Sequence, residues 1–205
     1  SASLSPAAWI VIPALSYLAG SIPTGYWMGR LIKGIDIREH GSGNPGATNV
    51  FRTVGKSAGI ITLLIDALKG YLPAFIVMQI APHNPLPATV AGLSAIAGHN
   101  WTFLLNFRGG KGVATSAGFF MAILPGPTGI ALACFALTLA LTKRVSLSSM
   151  TGSASLCISV WFITGSIFYT GLAVACALLI LVMHRRNIGR LIRNEEPKIS
   201  FRGNK

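Results

Sequence analysis

Charge is what this sequence has least of. Of its 205 residues 11% are charged and only five are acidic, where a soluble domain carries about 25% charged residues. With 52% apolar residues and a mean hydropathy of +0.61, the chain cannot clothe a water-facing surface and belongs in lipid. Cysteine is almost as scarce. Cys134, Cys157 and Cys176 fall in apolar stretches and form no CxxC pair, so they read as small buried hydrophobes. The four histidines, His40, His83, His99 and His184, are dispersed, and no carboxylate cluster accompanies them; no metal site is expected. Nucleotide binding by a P-loop is excluded. Gly55-Lys56-Ser57 matches the end of that motif, but Val50 stands where its first glycine must be. No Ser–His–Asp order or nucleophile elbow is visible.

What the sequence does have is apolar runs separated by basic connections. Candidate spans are 7–30, 56–80, 88–105, 112–124, 127–142, 150–166 and 168–184, read against the ~20 apolar residues that a spanning helix needs. The fourth is short and ends at Pro125-Gly126-Pro127. No basic region precedes the first run, so it is expected to be a permanent span and not a cleaved signal. Of 17 Lys and Arg, all but Lys69 lie in four regions: 30–56, 106–111, 143–144 and the tail from Arg185. The alternate connections hold none. By the rule that basic loops stay in the cytoplasm, the predicted fold is all-α and polytopic: seven transmembrane helices, N-terminus outside, C-terminus cytoplasmic, in one membrane domain over 1–205. The formal net charge of +12 also suits a nucleic-acid binder. Here the charges are interleaved with apolar runs, so the anionic partners are lipid headgroups and substrate, with no nucleic acid.

Two glycine-rich basic motifs stand out, both placed on the cytoplasmic side by this topology. Gly41-Ser42-Gly43-Asn44-Pro45-Gly46-Ala47-Thr48-Asn49 leads to Arg52 and Lys56, and Phe107-Arg108-Gly109-Gly110-Lys111-Gly112 leads to Val113-Ala114-Thr115. Glycines let backbone approach a ligand, and a helix start offers unpaired N–H groups with positive potential. Lone glycines would serve tight turns or helix packing. Combined with Ser42, Asn44, Thr48, Asn49, Arg52 and Lys111, they point to phosphate handling at a membrane surface.

Other polar residues are fewer. Asp66 and Lys69 lie i,i+3 inside the second span, as a neutralising structural pair or as a device that orients a substrate-facing cation. Ser146, Ser148 and Ser149 open the sixth span, where they either cap the helix or donate to a polyol or phosphate. His99 and Trp101 fit the inner interface as packing residues. His184 and Asn187 lie at the same interface and are site candidates. Glu195 and Glu196 read as charge balance within a basic tail. A rival class is a membrane anion or phosphate transporter, which the charge and the Asp66/Lys69 pair would suit. Transporter sites, however, sit near the midplane between repeats, and here no repeat is apparent and the polar motifs share one face.

Taken together these blocks resemble the PlsY family, the acyl-phosphate-dependent glycerol-3-phosphate acyltransferases of bacterial membranes. The resemblance covers nearly the whole chain. It is carried by 41–50 with Arg52, Asp66-x-x-Lys69-Gly70, Gly98-His99, 107–115, Ser146-Leu147-Ser148-Ser149, and His184-x-x-Asn187-Ile188-x-Arg190-Leu191. The His-x-x-x-x-Asp motif of another acyltransferase class is absent. The resemblance implies transfer of a fatty acyl group from acyl-phosphate to the 1-hydroxyl of glycerol 3-phosphate, giving lysophosphatidate and phosphate. No cofactor, metal or obligate protein partner is implied. It places the enzyme in the bacterial cytoplasmic (inner) membrane, multi-pass, with its active site on the cytoplasmic side. On this reading Ser42, Gly43, Asn44, Gly46, Thr48, Asn49, Gly109, Gly110 and Lys111 bind acyl-phosphate, their loop amides stabilising the leaving group. Arg52, Lys111, Ser148, Ser149, His184 and Asn187 bind glycerol 3-phosphate. Lys111, Arg52, Asn187 and His184 are the catalytic set. The proton acceptor stays open among His184, Asp66 and the substrate's own phosphate.

Overall fold

A proline sets the first structural event. Pro23 disfavours helix at the residue before it, and Ile22 is extended at φ −57°, ψ 114°. The first apolar run is therefore two helices, α1 (Ala8–Ser21) and α2 (Thr24–Lys33), broken at Ile22–Pro23. The computed structural model describes residues 4–200, and among these all regular structure is helical. After α2 come α3 (Ala47–Thr53), α4 (Lys56–Ile80), α5 (Pro85–Asn100), α6 (Val113–Ile123), α7 (Pro125–Thr142), α8 (Val145–Thr164), α9 (Ile167–Met183) and α10 (Arg185–Ile192). The chain forms two compact units divided between Ile123 and Leu124.

In the first unit, α5 packs on α1 and α4, and α6 packs on α4. Small residues make these contacts close. A Cβ on Gly20 would lie 2.1 Å from the Ala95 carbonyl oxygen, and one on Gly70 would lie 1.9 Å from that of Thr115. Backbones in van der Waals contact are how helices associate where lipid removes the hydrophobic drive. Phe119 and Phe120 are fully buried beside this crossing, with Gly92 flat against the Phe119 ring. In the second unit, α8 packs on both α7 and α9. Large apolar side chains such as Ile10, Leu31, Ile80, Leu141, Phe162 and Ile167 point outward, the inverse of a soluble fold.

Four segments among the described residues are long and apolar enough to cross a membrane: α1 with α2, α4, α7 and α8. The α9–α10 pair, bent by 65°, makes a fifth if counted as one span. Helices α5 and α6, with 16 and 11 residues, reach only ~24 and ~16 Å against a ~30 Å hydrocarbon core. Proline shortens both. Pro85 opens α5 at its first position, and Pro125 forces Leu124 extended and ends α6.

Candidate active site

In the first glycine motif the asparagines build the loop. The Asn49 Nδ2 donates to the carbonyls of Ile37 (3.1 Å) and His40 (3.0 Å), and its Oδ1 accepts the Ser42 amide at 2.9 Å. Asn44 Oδ1 accepts the Gly46 amide at 2.9 Å, and the Gly43 amide donates to the His40 carbonyl at 3.0 Å. Gly41 and Gly43 have φ of +60° and +70°, and Gly25 on α2 lies against the Pro45 carbonyl. A salt bridge anchors the approach: Arg38 grips Asp36 through Nε (3.0 Å) and Nη2 (2.7 Å). That hydrogen bonding holds the Asp36 carboxyl down at about 2 and raises the Arg38 guanidinium. Ser42, Gly43 and Arg52 are exposed, and Thr48 is half-buried at the start of α3.

The second motif closes against the end of α5. Gly109 and Gly110 donate their amides to the carbonyls of Asn100 and His99, each at 3.0 Å. Asn106 and Phe107, both at positive φ, turn the chain into this position. The amides of Ser42, Gly43, Gly46, Gly109 and Gly110 therefore all face inward. The loop amides expected to cradle phosphate are thus engaged within the protein.

Asp66 and Lys69 are buried and joined at 2.6 Å. Lys69 also donates to the Ile22 carbonyl at the helix break, while Thr102 Oγ1 donates to the Ser21 carbonyl at 2.7 Å. His99 Nδ1 stands 3.7 Å from Asp66 Oδ1. Asp66, Lys69, His99, Thr24, Pro45, Gly109 and Gly110 line a small cleft of about 10 Å³, which thus touches both glycine motifs.

In the second unit, Glu196 is buried and receives three donors: Ser146 Oγ at 2.6 Å, Asn187 Nδ2 at 2.6 Å and Arg190 Nε at 2.7 Å. Burial pushes its carboxyl up, but these bonds outweigh burial and hold it below its ordinary value. Ser148 and Ser149 are buried in the first turn of α8 and bond back to the Arg144 and Val145 carbonyls. His184 is buried at the α9–α10 bend, with Nδ1 2.8 Å from the Ile180 carbonyl. A carbonyl only accepts, so Nδ1 carries hydrogen.

Two residues were missed by the sequence reading. Glu196 is a buried hub and not tail charge balance. Asn100, 1% exposed, has no side-chain partner among the described residues and lies against Gly112. The visible clue to Glu196 was the Ile199 that follows it, which is buried and pinned by its amide to the Lys143 carbonyl at 2.7 Å. Among the described residues no group of three His, Cys, Asp or Glu is placed to hold a metal ion.

Comparison with known proteins bears on what this arrangement does. Residues 10–194 match the family model described as glycerol-3-phosphate acyltransferase. The chain is 40% identical over 188 residues to a glycerol-3-phosphate acyltransferase of Fusobacterium nucleatum, covering 91% of this chain and 96% of that one. It is 42% identical over 196 residues to one from Anaeromyxobacter dehalogenans, covering 92% and 96%. The fold is similar to a crystal structure of PlsY, an integral membrane glycerol 3-phosphate acyltransferase, in its glycerol 3-phosphate form: TM-score 0.88, 33% identity, 93% of this chain and 95% of that one. The lysophosphatidic acid form of PlsY superposes with a TM-score of 0.86 at 32% identity, with the same coverage.

Proposed function

The chain belongs to the glycerol-3-phosphate acyltransferase family of integral membrane enzymes, and on that premise we propose that it moves a fatty acyl group from acyl-phosphate to the 1-hydroxyl of glycerol 3-phosphate. The carrying observation is that a relative alike over 93% of this chain was crystallised with glycerol 3-phosphate and with lysophosphatidic acid, an acceptor and an acylated product. In the proposed step the hydroxyl oxygen bonds to the acyl carbonyl carbon. The bond from that carbon to the phosphate oxygen breaks and phosphate leaves. The hydroxyl proton passes to a base.

Acyl-phosphate is already activated, so positioning and charge stabilisation supply the catalysis. Lys111 and Arg52 carry the positive charge that meets substrate phosphate. The first glycine motif (Ser42, Gly43, Asn44, Gly46, Thr48, Asn49) and Gly109 and Gly110 form the acyl-phosphate side. The family resemblance assigns Arg52, Lys111, Ser148, Ser149, His184 and Asn187 to glycerol 3-phosphate binding. Of the candidate proton acceptors, Asp66 is already engaged by Lys69 at 2.6 Å, and the role is assigned to His184. Asp66 and Lys69 are structural.

The same reading makes the whole chain one acyltransferase domain of a bacterial cytoplasmic membrane. Seven segments cross, the short α5 and α6 among them, with the N-terminus outside and the site facing the cytoplasm. The support is the placement of all Lys and Arg but Lys69 in alternate connections. The burial of nine of the sixteen residues of α5 adds to it, because a helix sheltered by protein need not match the bilayer. The test is purified protein given acyl-phosphate and labelled glycerol 3-phosphate. Lysophosphatidate and phosphate in equal amounts are expected; no product, with anion flux through proteoliposomes instead, would sink the proposal in favour of a transporter.

A further inference from the structure

Lys111 stands between Gly110 and Gly112, so its sequence neighbours contribute no side chain to hold it. The support comes from another segment. His99 and Asn100, at the end of α5, fit against three glycines of the motif in turn. A Cβ on Gly109 would fall 2.0 Å from the His99 carbonyl oxygen. One on Gly110 would fall 2.0 Å from His99 Nε2, and one on Gly112 would fall 2.7 Å from Asn100 Oδ1. Real Cβ contacts are not that short, so each glycine is a site of direct contact with residues 99–100. Glycine in this motif thus answers a packing demand.

The ring that meets Gly110 is buried beside an ion pair. Asp66 Oδ1 faces His99 Nδ1 at 3.7 Å, Lys69 pairs with Asp66 at 2.6 Å, and Lys69 bonds the Ile22 carbonyl exposed by the Pro23 break. A continuous path runs from the break in the first apolar run through two buried charges to one imidazole and then to the residue before Lys111.

We propose that His99 is a positioning residue for Lys111: its ring, buried beside Asp66, is the surface on which Gly110 rests, and it fixes where the Lys111 ammonium meets substrate phosphate. The inference rests on the reading of Lys111 as a phosphate ligand. It needs no titration of His99. A shift of the loop by about 1 Å is enough for a hundredfold loss when a reacting group is misplaced.

A size-exchange cycle tests it. Gly110→Ala puts a methyl into the ring and lowers kcat/KM about a hundredfold. His99→Ala lets the loop sink and raises the KM for glycerol 3-phosphate about tenfold, with thermal midpoint and extracted yield close to wild type. In the double variant the methyl occupies the space left by the ring. Activity then recovers at least about tenfold over Gly110→Ala, a coupling that independent sites do not show. His99→Asn, shorter than histidine but still polar toward Asp66, takes the place of His99→Ala in the cycle should the alanine variant not extract as folded protein. A double variant no better than Gly110→Ala overturns the proposal. So does a folded His99 variant with wild-type KM. Lys111→Ala, measured alongside, separates the two levels. If Lys111→Ala keeps its activity, the reading of Lys111 fails and the positioning role with it. If Lys111→Ala is inactive while the His99 variant is normal, only the positioning role fails.

Discussion

Removing the Glu196 carboxylate should destabilise the protein far more than a surface acid would. Glu196→Ala strips the shared acceptor from three donors. Ser146 and Asn187 are 5% and 7% exposed, so water does not replace the lost partner. Each buried donor left unpaired costs about 1–3 kcal/mol. The Arg190 side chain is 31% exposed, and solvent compensates most of its loss. The sum is about 2–6 kcal/mol, which brackets the ~3–5 kcal/mol lost when one partner of a buried ion pair is removed. The tail would also lose its hold near Ile199, whose amide bonds the Lys143 carbonyl.

The assay is thermal unfolding of detergent-extracted protein, where a loss of this size lowers the midpoint by at least ~5 °C. Glu196→Gln is the informative control. Its carbonyl still accepts from Ser146 and Asn187, but its NH2 end meets Arg190, so the loss should be intermediate. The carboxyl is held below its ordinary value of 4.5, so it stabilises the fold above that pH and loses the contribution as pH falls through the folded value. The Gln variant should flatten that acid limb. An alanine variant within 1 °C of wild type, taking ~1 °C as well under the effect of 1 kcal/mol, would refute the hub.

Four further outcomes are expected. Lys111→Ala should leave less than about a tenth of activity, a barrier change above ~1.4 kcal/mol, and Lys111→Arg should restore little because a planar fork does not replace a compact ammonium between glycines; full recovery with arginine would mark a mere headgroup contact. Gly70→Ala drives a methyl to 1.9 Å from the Thr115 carbonyl oxygen, so α4 and α6 must part at a cost of about 1–3 kcal/mol; an unchanged thermal midpoint would show that this crossing is loose. Asp36, at about 2 against an ordinary 3.8, stabilises the protein above about pH 4 and loses that contribution toward pH 2, so Asp36→Asn should remove this component of acid unfolding and matching acid profiles would count against it. His83→Cys, in a variant lacking Cys134, Cys157 and Cys176, should label from outside intact cells, and labelling only after the inner face is opened would reverse the topology.

Much of this molecule is readable from residues alone, for physical reasons that differ by element. Lipid residence follows from charge content, because no fold can cover a wet surface with so few charged groups. The glycine motifs are visible because glycine is favoured at Gly41, Gly43 and Gly112, all at positive φ and each with a neighbouring atom within 3.0 Å of where a Cβ would lie. What glycine cannot announce is which neighbour excludes its side chain. At Gly110 it is an imidazole, where a substrate phosphate was the natural reading. Asn44 and Asn49 carry the same ambiguity. An amide side chain serves a ligand or its own loop equally well, and only the fold shows these two turned inward. Glu196 was hidden because a carboxylate among arginines looks solvated until the chain is seen to fold back. The ends of the spans at α5 and α6 are the least legible, because proline sets helix length there independently of hydropathy.

The Ile22–Pro23 break explains why an apolar protein keeps two charges in its interior. Breaking a helix at membrane depth frees carbonyls that lipid cannot satisfy, and each unsatisfied group costs several kcal/mol. Thr102 meets the Ser21 carbonyl and Lys69 meets that of Ile22. An ammonium in that place cannot stand alone, so Asp66 sits one turn away on the same helix face and cancels its charge. The pair costs little net charge, and it leaves a carboxylate edge facing His99. The apparent expense of a buried ion pair is thus the consequence of ending α1 early. Ending it early in turn opens the cleft that both glycine motifs line. A straight first helix would need neither Lys69 nor Asp66, and it would leave no place for Pro45, Gly109 and Gly110 to come together.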